Sequence, residues 1–142
     1  MSTNMPHTIL MLEYDPDDRF LTTSVFQEQQ LKVHIEFVNN SDEFFAWLDH
    51  RREQKLSYPD LVLVTLRAAP LDGKEILKQL KSNPEYQHIP VVLLAGITDQ
   101  RIIKECYAAG ASSFIQKPSL NKDTNDKIIN FFRYWFETVE LV

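Results

Sequence analysis

Side chains that can carry charge or form hydrogen bonds follow several short apolar runs in this chain. Tyr14 and Asp15 come just after the first run, Thr65 ends the third, and Lys117 follows the fifth, whereas Ala95, after the fourth, has only a methyl group. A carboxylate, a hydroxyl and an ammonium group are together suited to holding a hard metal ion or an anion. They do so only if the chain brings them to one place, which depends on the elements that carry them.

The chain pattern predicts five strands that alternate with helices. Short, near-continuous apolar runs are typical of parallel strands buried on both faces. The predicted strands are Thr8–Leu12, Val33–Val38, Asp60–Val64, Pro90–Leu94 and Ser112–Gln116. Between them, apolar residues at i, i+1 and i+4, or i+5 in the first set, predict four helices with one buried face each. These residues are Phe20, Leu21 and Val25, then Phe44, Phe45 and Leu48, then Ile76, Leu77 and Leu80, and last Ile102, Ile103 and Cys106.

Residues at the predicted helix ends support these boundaries. Ser41 is a suitable N-cap for the second helix, and Gly110 ends the fourth. Asp17 and Asp18 are interpreted as first-turn acids of the first helix, where the helix dipole favours negative charge.

Alternating strands and helices predict a doubly wound α/β fold, with a parallel sheet covered by helices on both faces. Ligands of such sheets bind outside the carboxyl ends of the strands. We therefore expect Tyr14, Asp15, Thr65, Ala95 and Lys117 to lie around one crevice.

Composition limits the classes of function. The 142 residues are 44% hydrophobic and 25% charged, which is ordinary for a globular domain, and we expect one domain over residues 1–142 with no output domain. The net charge of −5 argues against nucleic acid as a partner. Cys106 is the only cysteine, and neither a secretory signal nor a membrane-spanning run is present, so we expect a cytoplasmic protein without membrane contact.

Three motifs occur in an informative order: PDLVLVTLRAAPLDG, IPVVLLAG and ASSFIQKP. With them the chain, from about Thr8 to its C-terminus, resembles the receiver domain of bacterial response regulators, the CheY-like family. The resemblance implies a flavodoxin-like sheet of five strands in the order 2-1-3-4-5 with five helices, and a role in two-component or phosphorelay signal transduction.

The resemblance also implies a phosphoacceptor pocket. In the family, two acids after the first strand hold Mg²⁺, and an aspartate ending the third strand takes a phosphoryl group from a histidine kinase. A Ser or Thr after the fourth strand and a lysine after the fifth bind that group. Here the acid pair aligns with Tyr14 and Asp15, Thr65 stands in place of the acceptor aspartate, and Ala95 replaces the hydroxyl. Only Asp15 and Lys117 match.

A threonine hydroxyl is neutral at pH 7, and no general base is evident for Thr65. We therefore expect a degenerate pocket without catalytic residues, and Mg²⁺ binding that is absent or weak. Asp15 is either a weak remnant of the metal site or a capping acid before Pro16. Lys117 either pairs with Asp15 in place of the lost cation or is a surface lysine without a role.

Two further residues match the family pattern near the fifth strand. Phe114 aligns with the aromatic residue whose rotamer reports activation, and core packing is its alternative role. Pro118 after Lys117 implies the cis peptide bond of the family.

The predicted C-terminal helix runs from Asn121 to about Val139 and is unusually rich in aromatic residues. Its apolar residues, which include Phe131 and Trp135, spread over about 160° of the helix, wider than a single buried stripe. Either this wide apolar surface contacts a partner or a second copy of the chain, or the helix is buried deeply between its neighbours.

Three functions remain open. The first is a stand-alone pseudo-receiver, without enzymatic activity or cofactor, that acts independently of phosphorylation through contacts with signalling proteins such as a histidine kinase. The second is a receiver phosphorylated on another carboxylate, such as Asp15. The third is a flavin carrier or enzyme on the same fold.

Overall fold

The computed structural model describes residues 7–28, 30, 32–96, 99–117 and 122–138. In this part of the chain, five strands alternate with five α-helices, and a π-helical turn follows the last helix. The elements are β1 (His7–Leu12), α1 (Pro16–Glu28), β2 (Val33–Val38), α2 (Ser41–Glu53), β3 (Leu61–Thr65), α3 (Gly73–Lys81), β4 (Val91–Ala95), α4 (Gln100–Ala108), β5 (Ser113–Gln116), α5 (Lys122–Arg133) and the π-helical turn Tyr134–Thr138.

The strands form one parallel sheet in the order β2-β1-β3-β4-β5. This confirms the predicted fold class and strand order. β1 and β3 pair with Leu12 opposite Val64, and β3 and β4 pair with Thr65 opposite Leu94. The strands at the centre of the sheet therefore end at nearly the same level, and the residues that follow them share one edge.

Each face of the sheet carries its own apolar core. Leu10 and Leu12 pack with the buried faces of α2, α3 and α4, whereas Ile9 and Met11 pack with α1 and α5. Successive side chains of β1 point to opposite faces of the sheet, and both faces are buried. This is why residues 9–12 are all apolar.

Six of the ten predicted strand ends and the predicted N-cap of α2 are wrong by one residue. Asp60 precedes β3, and its carboxylate accepts the amide of Thr8 at 2.9 Å. The N-cap of α2 is Asn40, whose side-chain oxygen accepts the amide of Glu43 at 2.8 Å. Ser41 is instead buried, and its hydroxyl accepts the amide of Leu71 at 3.0 Å, so it ties α2 to the loop after β3.

The predicted buried face of α1 is also wrong in part. Phe20 is 70% exposed, and the buried residues of this helix are Thr22, Val25 and Phe26. Phe20 was assigned to the apolar stripe because it is apolar and adjoins Leu21, which lies four residues before Val25. The position nevertheless faces solvent, since the stripe that meets the sheet begins at Thr22.

The C-terminal segment departs from a uniform helix after Arg133. Ile128, Ile129 and Phe132 are buried against the sheet, as an amphipathic helix predicts. The π-helical turn then changes the angular spacing, and it brings the ring of Phe136 to 4.8 Å from the ring of His7 in a stacked arrangement. The predicted ends of this helix, Asn121 and Val139, lie outside the described residues.

No helix among the described residues combines the length and the apolar content required to cross a bilayer.

Candidate functional site

A crevice of about 570 Å³ opens at the carboxyl ends of β3, β4 and β5, next to the loop that follows β1. Four of the five residues predicted to meet there are in its lining: Tyr14, Thr65, Ala95 and Lys117. The rest of the described lining consists of Asp18, Leu66, Arg67, Leu94, Gly96 and Gln116. The parallel sheet therefore brings together side chains that are distant in sequence, as its topology requires.

Lys117 lies between two carboxylates in this crevice. Its Nζ is 2.8 Å from Glu13 Oε1 and 2.9 Å from Asp18 Oδ2. Burial lowers the pKa of Lys117, but the interactions with Glu13 and Asp18 outweigh burial and leave the pKa above the ordinary lysine value. The side chain therefore stays protonated at neutral pH, and it cannot act as a general base.

Both contacts of Lys117 are ion pairs at hydrogen-bonding distance. Asp18 Oδ2 accepts a hydrogen bond from Nζ, and Glu13 Oε1 lies 2.8 Å from the same nitrogen. The Glu13 side chain is 0% exposed, and a buried carboxylate requires a nearby positive charge.

Glu13 is the site residue that the sequence reasoning missed. It directly follows β1, and because Leu12 pairs with Val64, the register places Glu13 level with Thr65. Its amide donates to the carbonyl oxygen of Val38 at 3.1 Å, which extends the pairing of β1 with β2. One feature of the sequence could have identified Glu13 as a site residue. It is an acid that directly follows four apolar residues, at the point where the strand ends.

Asp15 does not pair with Lys117, and this prediction is corrected. Asp15 Oδ1 accepts the amides of Asp17 at 2.8 Å and of Asp18 at 3.3 Å, which is the geometry of a helix N-cap. Pro16 follows at the first helical position, where its fixed φ is favourable. Asp15 is therefore the capping acid of α1, and it is not among the residues that line the crevice.

The centre of the crevice carries neutral side chains. Thr65 is 2% exposed and ends β3, while Ala95 is buried at the end of β4. Tyr14 is 52% exposed at the edge of the crevice. A β carbon on Gly73 would lie 2.9 Å from the carbonyl oxygen of Thr65, so the absence of a side chain there lets α3 approach the end of β3.

The remaining predicted residues lie away from the crevice lining. Phe114 packs against the core cluster shared with α2, α3 and α4, and its amide donates to the Tyr107 hydroxyl at 3.1 Å. Phe131 packs against the other core cluster, and its ring centroid lies 6.0 Å from that of Trp135. Pro118 falls outside the described residues.

Potential metal ligands are poorly grouped in the described part of the chain. No set of three or more His, Cys, Asp or Glu side chains there is arranged to hold a metal ion. The two carboxylates that do converge, Glu13 and Asp18, share the ammonium group of Lys117.

Fold and site together define a doubly wound α/β domain with a charged crevice at the carboxyl ends of its strands. Residues 9–129 match the family model described as the response regulator receiver domain. The chain therefore belongs to the response regulator receiver family. Receiver domains of two-component systems interact with histidine kinases and other signalling proteins, and this is the functional context of the chain.

Individual relatives agree with this assignment along nearly the whole chain. The chain is 26% identical to response regulator Rcp1 of Synechocystis sp. over 140 residues, which are 98% of this chain and 95% of the relative. It is 26% identical to the probable methanogenesis regulatory protein FilR2 of Methanothrix harundinacea over 130 residues, 92% of this chain and 84% of the relative.

A solved structure of one of these relatives shares the architecture. The crystal structure of the Mn²⁺-bound form of response regulator Rcp1 is similar with a TM-score of 0.83 at 25% identity, covering 96% of this chain and 99% of that chain.

Proposed function

We propose that this chain is a receiver domain that acts through protein contacts and is not switched by phosphorylation. The observation that carries the proposal is the position of Lys117, whose ammonium group lies within 3 Å of both Glu13 and Asp18. A lysine held in this way has its charge balanced inside the protein. It is then poorly placed to attract a phosphoryl group.

The residue at the end of β3 supports the same proposal. Thr65 offers a buried neutral hydroxyl, whereas an acyl phosphate forms only on a carboxylate. We assign Thr65 to the acceptor position because it ends the central strand and lines the crevice beside Lys117. Ala95 at the end of β4 has no side-chain donor for a phosphoryl oxygen.

The residues of the crevice do not fit the Mg²⁺ ion that the family implies. Mg²⁺ prefers near-octahedral oxygen ligands and is usually held by one or two carboxylates together with phosphate oxygens. Tyr14 supplies a neutral phenol and Thr65 a neutral hydroxyl, and Glu13 and Asp18 already share the ammonium group of Lys117. A divalent ion would have to displace an ammonium group tethered to the chain, so we propose no cofactor.

The geometry disfavours phosphorylation of Asp15. One of its carboxylate oxygens is engaged by two amides at the start of α1, and the residue lies outside the crevice lining. An acyl phosphate formed through the other oxygen, Oδ2, would leave Oδ1 as a neutral carbonyl oxygen, which accepts the capping amides less strongly than a carboxylate does.

A test of the proposal uses beryllofluoride, which mimics a phosphoryl group on a carboxylate. We expect the amide NMR spectrum of the chain in Mg²⁺ to be unchanged when beryllofluoride is added. A matched variant, Thr65→Asp, restores a carboxylate at the end of β3 and serves as a control for access to the crevice. Chemical-shift changes around Lys117 in the unsubstituted chain would reject the proposal.

We further propose that the C-terminal segment supplies part of the protein-contact surface, including contacts between two copies of the chain. Tyr134 is 57% exposed, and Trp135 beside it is only partly covered. Aromatic residues are enriched at protein–protein interfaces relative to the rest of the surface.

Light scattering over a range of concentrations tests whether two copies associate. We expect the mass to rise with concentration in the unsubstituted chain and to rise less in Tyr134→Ala. Leu56→Ala is a suitable control, since Leu56 is also exposed, at 46%, but follows α2. A constant monomer mass in all three proteins would remove the homodimer from the proposal.

A further inference from the structure

Arg19 connects three segments near the charged crevice. Its Nε donates to the carbonyl oxygen of Glu13, and its Nη2 donates to Asn39 Oδ1 at 2.6 Å. Its guanidinium carbon lies 4.9 Å from the ring centroid of Phe37. One side chain from α1 thus reaches the end of β1, the end of β2 and the loop that follows β2.

The contact with Glu13 fixes the backbone of that residue from both sides. The Glu13 amide is bonded to Val38 O, and its carbonyl is bonded to Arg19. With both backbone groups engaged, the direction in which the side chain leaves the backbone is set. The carboxylate then points into the protein, where Glu13 is fully buried and meets Lys117.

Arg19 stands in the first turn of α1. Its backbone amide donates to the Asp15 carbonyl oxygen at 3.0 Å, which closes that turn, and its side chain ties the turn to Glu13 O and Asn39 Oδ1. Asp18 precedes it directly and extends its carboxylate to Lys117. The residue that fixes the Glu13 backbone is therefore one peptide bond from the second carboxylate of the cluster.

Charge gives Arg19 a second role in the same place. The segment from residue 13 to residue 18 carries four carboxylates, those of Glu13, Asp15, Asp17 and Asp18. Carboxylates crowded together repel one another, and the two described cations that contact this segment are Lys117 and Arg19.

We infer that Arg19 is the positioning residue that sets Glu13 and Asp18 on either side of Lys117. This inference rests on the proposed function in one respect: the proposed function is what makes the cluster of Glu13, Lys117 and Asp18 important. Arginine suits this position because its planar guanidinium group donates hydrogen bonds in two directions at once. The ammonium group of a lysine, on a flexible aliphatic chain, does this less well.

The test measures hydrogen exchange of the Lys117 ammonium protons by ¹⁵N NMR in the full chain. The signal is assigned as the one that disappears in Lys117→Met. In Arg19→Met we expect exchange to accelerate by about tenfold, the equivalent of one lost charge-assisted hydrogen bond. Arg19→Lys retains the charge but not the guanidinium group, and we expect it to accelerate exchange as well.

Arg51→Met is the matched control. Arg51 Nε also donates to a carbonyl oxygen six residues away, that of Ser57 at 2.9 Å, and its guanidinium also lies over an aromatic ring, that of Trp47. These contacts are at the end of α2, away from the crevice. Losing them removes an equivalent set of arginine contacts but should leave the exchange rate of the Lys117 ammonium protons unchanged.

Each outcome decides the inference. Exchange at the unsubstituted rate in Arg19→Met overturns it, and acceleration in Arg19→Met but not in Arg19→Lys shows a charge effect without positioning and also overturns it. If Arg19→Met does not fold, Asn39→Ala removes one anchor of the guanidinium group, and unchanged exchange there overturns the inference. A phosphoryl group on the unsubstituted chain would reject the proposed function without affecting this result.

Discussion

At the scale of single residues, Lys117 balances the charge of the crevice. Its side chain is 19% exposed, and that of Glu13 is 0% exposed, so the pair lies largely out of water. The energetic importance of such a pair lies less in the attraction itself than in the cost of leaving one member alone. Removing the lysine would leave the buried Glu13 carboxylate without the cation that contacts it in the described part of the chain.

Lys117→Met is therefore expected to destabilise the protein by about 3 kcal/mol, the lower part of the range for a broken buried pair because Lys117 retains some exposure. Urea denaturation measures the loss. Adding Glu13→Gln should restore part of it, since a neutral amide costs less to bury than a charge. Lys78→Met removes an exposed pair with Glu75 and should change stability by less than about 1 kcal/mol. Equal effects at Lys78 and Lys117 would contradict this account.

The same pair predicts a pH dependence of stability. The pKa of Lys117 in the folded protein is raised above the ordinary lysine value of 10.5, because the interactions with Glu13 and Asp18 outweigh burial. The folded state then holds its proton more tightly than the unfolded state does. The stabilisation is complete below pH 10.5 and is lost as the pH rises through the higher folded value.

Denaturation at a series of alkaline pH values tests this prediction. The difference in free energy of unfolding between the unsubstituted chain and Lys117→Met should shrink as the pH rises above 10.5. Comparing the two proteins cancels the contributions of Tyr58 and Tyr86, whose pKa values are also raised, chiefly by burial. A difference that stays constant across this range would contradict the assignment.

At the scale of elements, the junction of β3 with α3 controls the position of Thr65. The amide of Leu66 donates to Leu94 O at 2.8 Å, and the amide of Gly73 donates to Leu66 O at 3.0 Å. Asp72 caps α3 by accepting the amide of Glu75 at 2.9 Å. The loop after β3 is thus bonded at both of its ends, and the first residue of α3 lies directly against the end of the strand.

Gly73→Ala is expected to destabilise the protein by about 1–3 kcal/mol, the usual cost of forcing a methyl group into a filled space. The new β carbon would meet backbone atoms, Thr65 O at 2.9 Å and Leu66 Cα at 3.0 Å, which cannot rotate away. Gly96→Ala is the control, since a β carbon there meets no described residue within 4 Å and should change stability by about 0.5 kcal/mol or less. Equal melting temperatures of the two variants would show that Gly73 does not pack closely against the end of β3.

Strands were more predictable than helices in this chain for a physical reason. A strand buried on both faces must be apolar at nearly every position, so Leu61–Val64 and Val91–Leu94 are evident without knowledge of their neighbours. A helix buries only a stripe, and its angle depends on what lies beneath it. Phe20 was misassigned for this reason. The π-helical turn after Arg133 has no periodic signal in the sequence.

At the scale of the whole molecule, two regions with different chemistry lie at opposite ends of the sheet. The crevice with Lys117 opens at the carboxyl ends of the strands. The π-helical turn lies at the amino end, where Phe136 stacks on His7 at the start of β1. A protein that binds the C-terminal segment therefore need not touch the crevice.

The crevice itself was predictable in outline but not in its pairing. The doubly wound topology alone places Tyr14, Thr65, Ala95 and Lys117 together, because each follows or ends a parallel strand. The end of β1 at Leu12 was predicted correctly, but the partners of Lys117 depend on which side chains after the strand point into the crevice, and the apolar pattern does not fix that. Glu13 was given no role, and Asp15, which caps α1, was assigned to the lysine in its place.

The most direct test of the central claim is mass spectrometry of the unsubstituted chain after incubation with acetyl phosphate and Mg²⁺. A receiver domain that carries an aspartate at the end of its third strand, treated in parallel, is the positive control. We predict that the mass of this chain stays unchanged while the control gains one phosphoryl group. A stoichiometric, acid-labile phosphoryl group on any residue of this chain would contradict the claim.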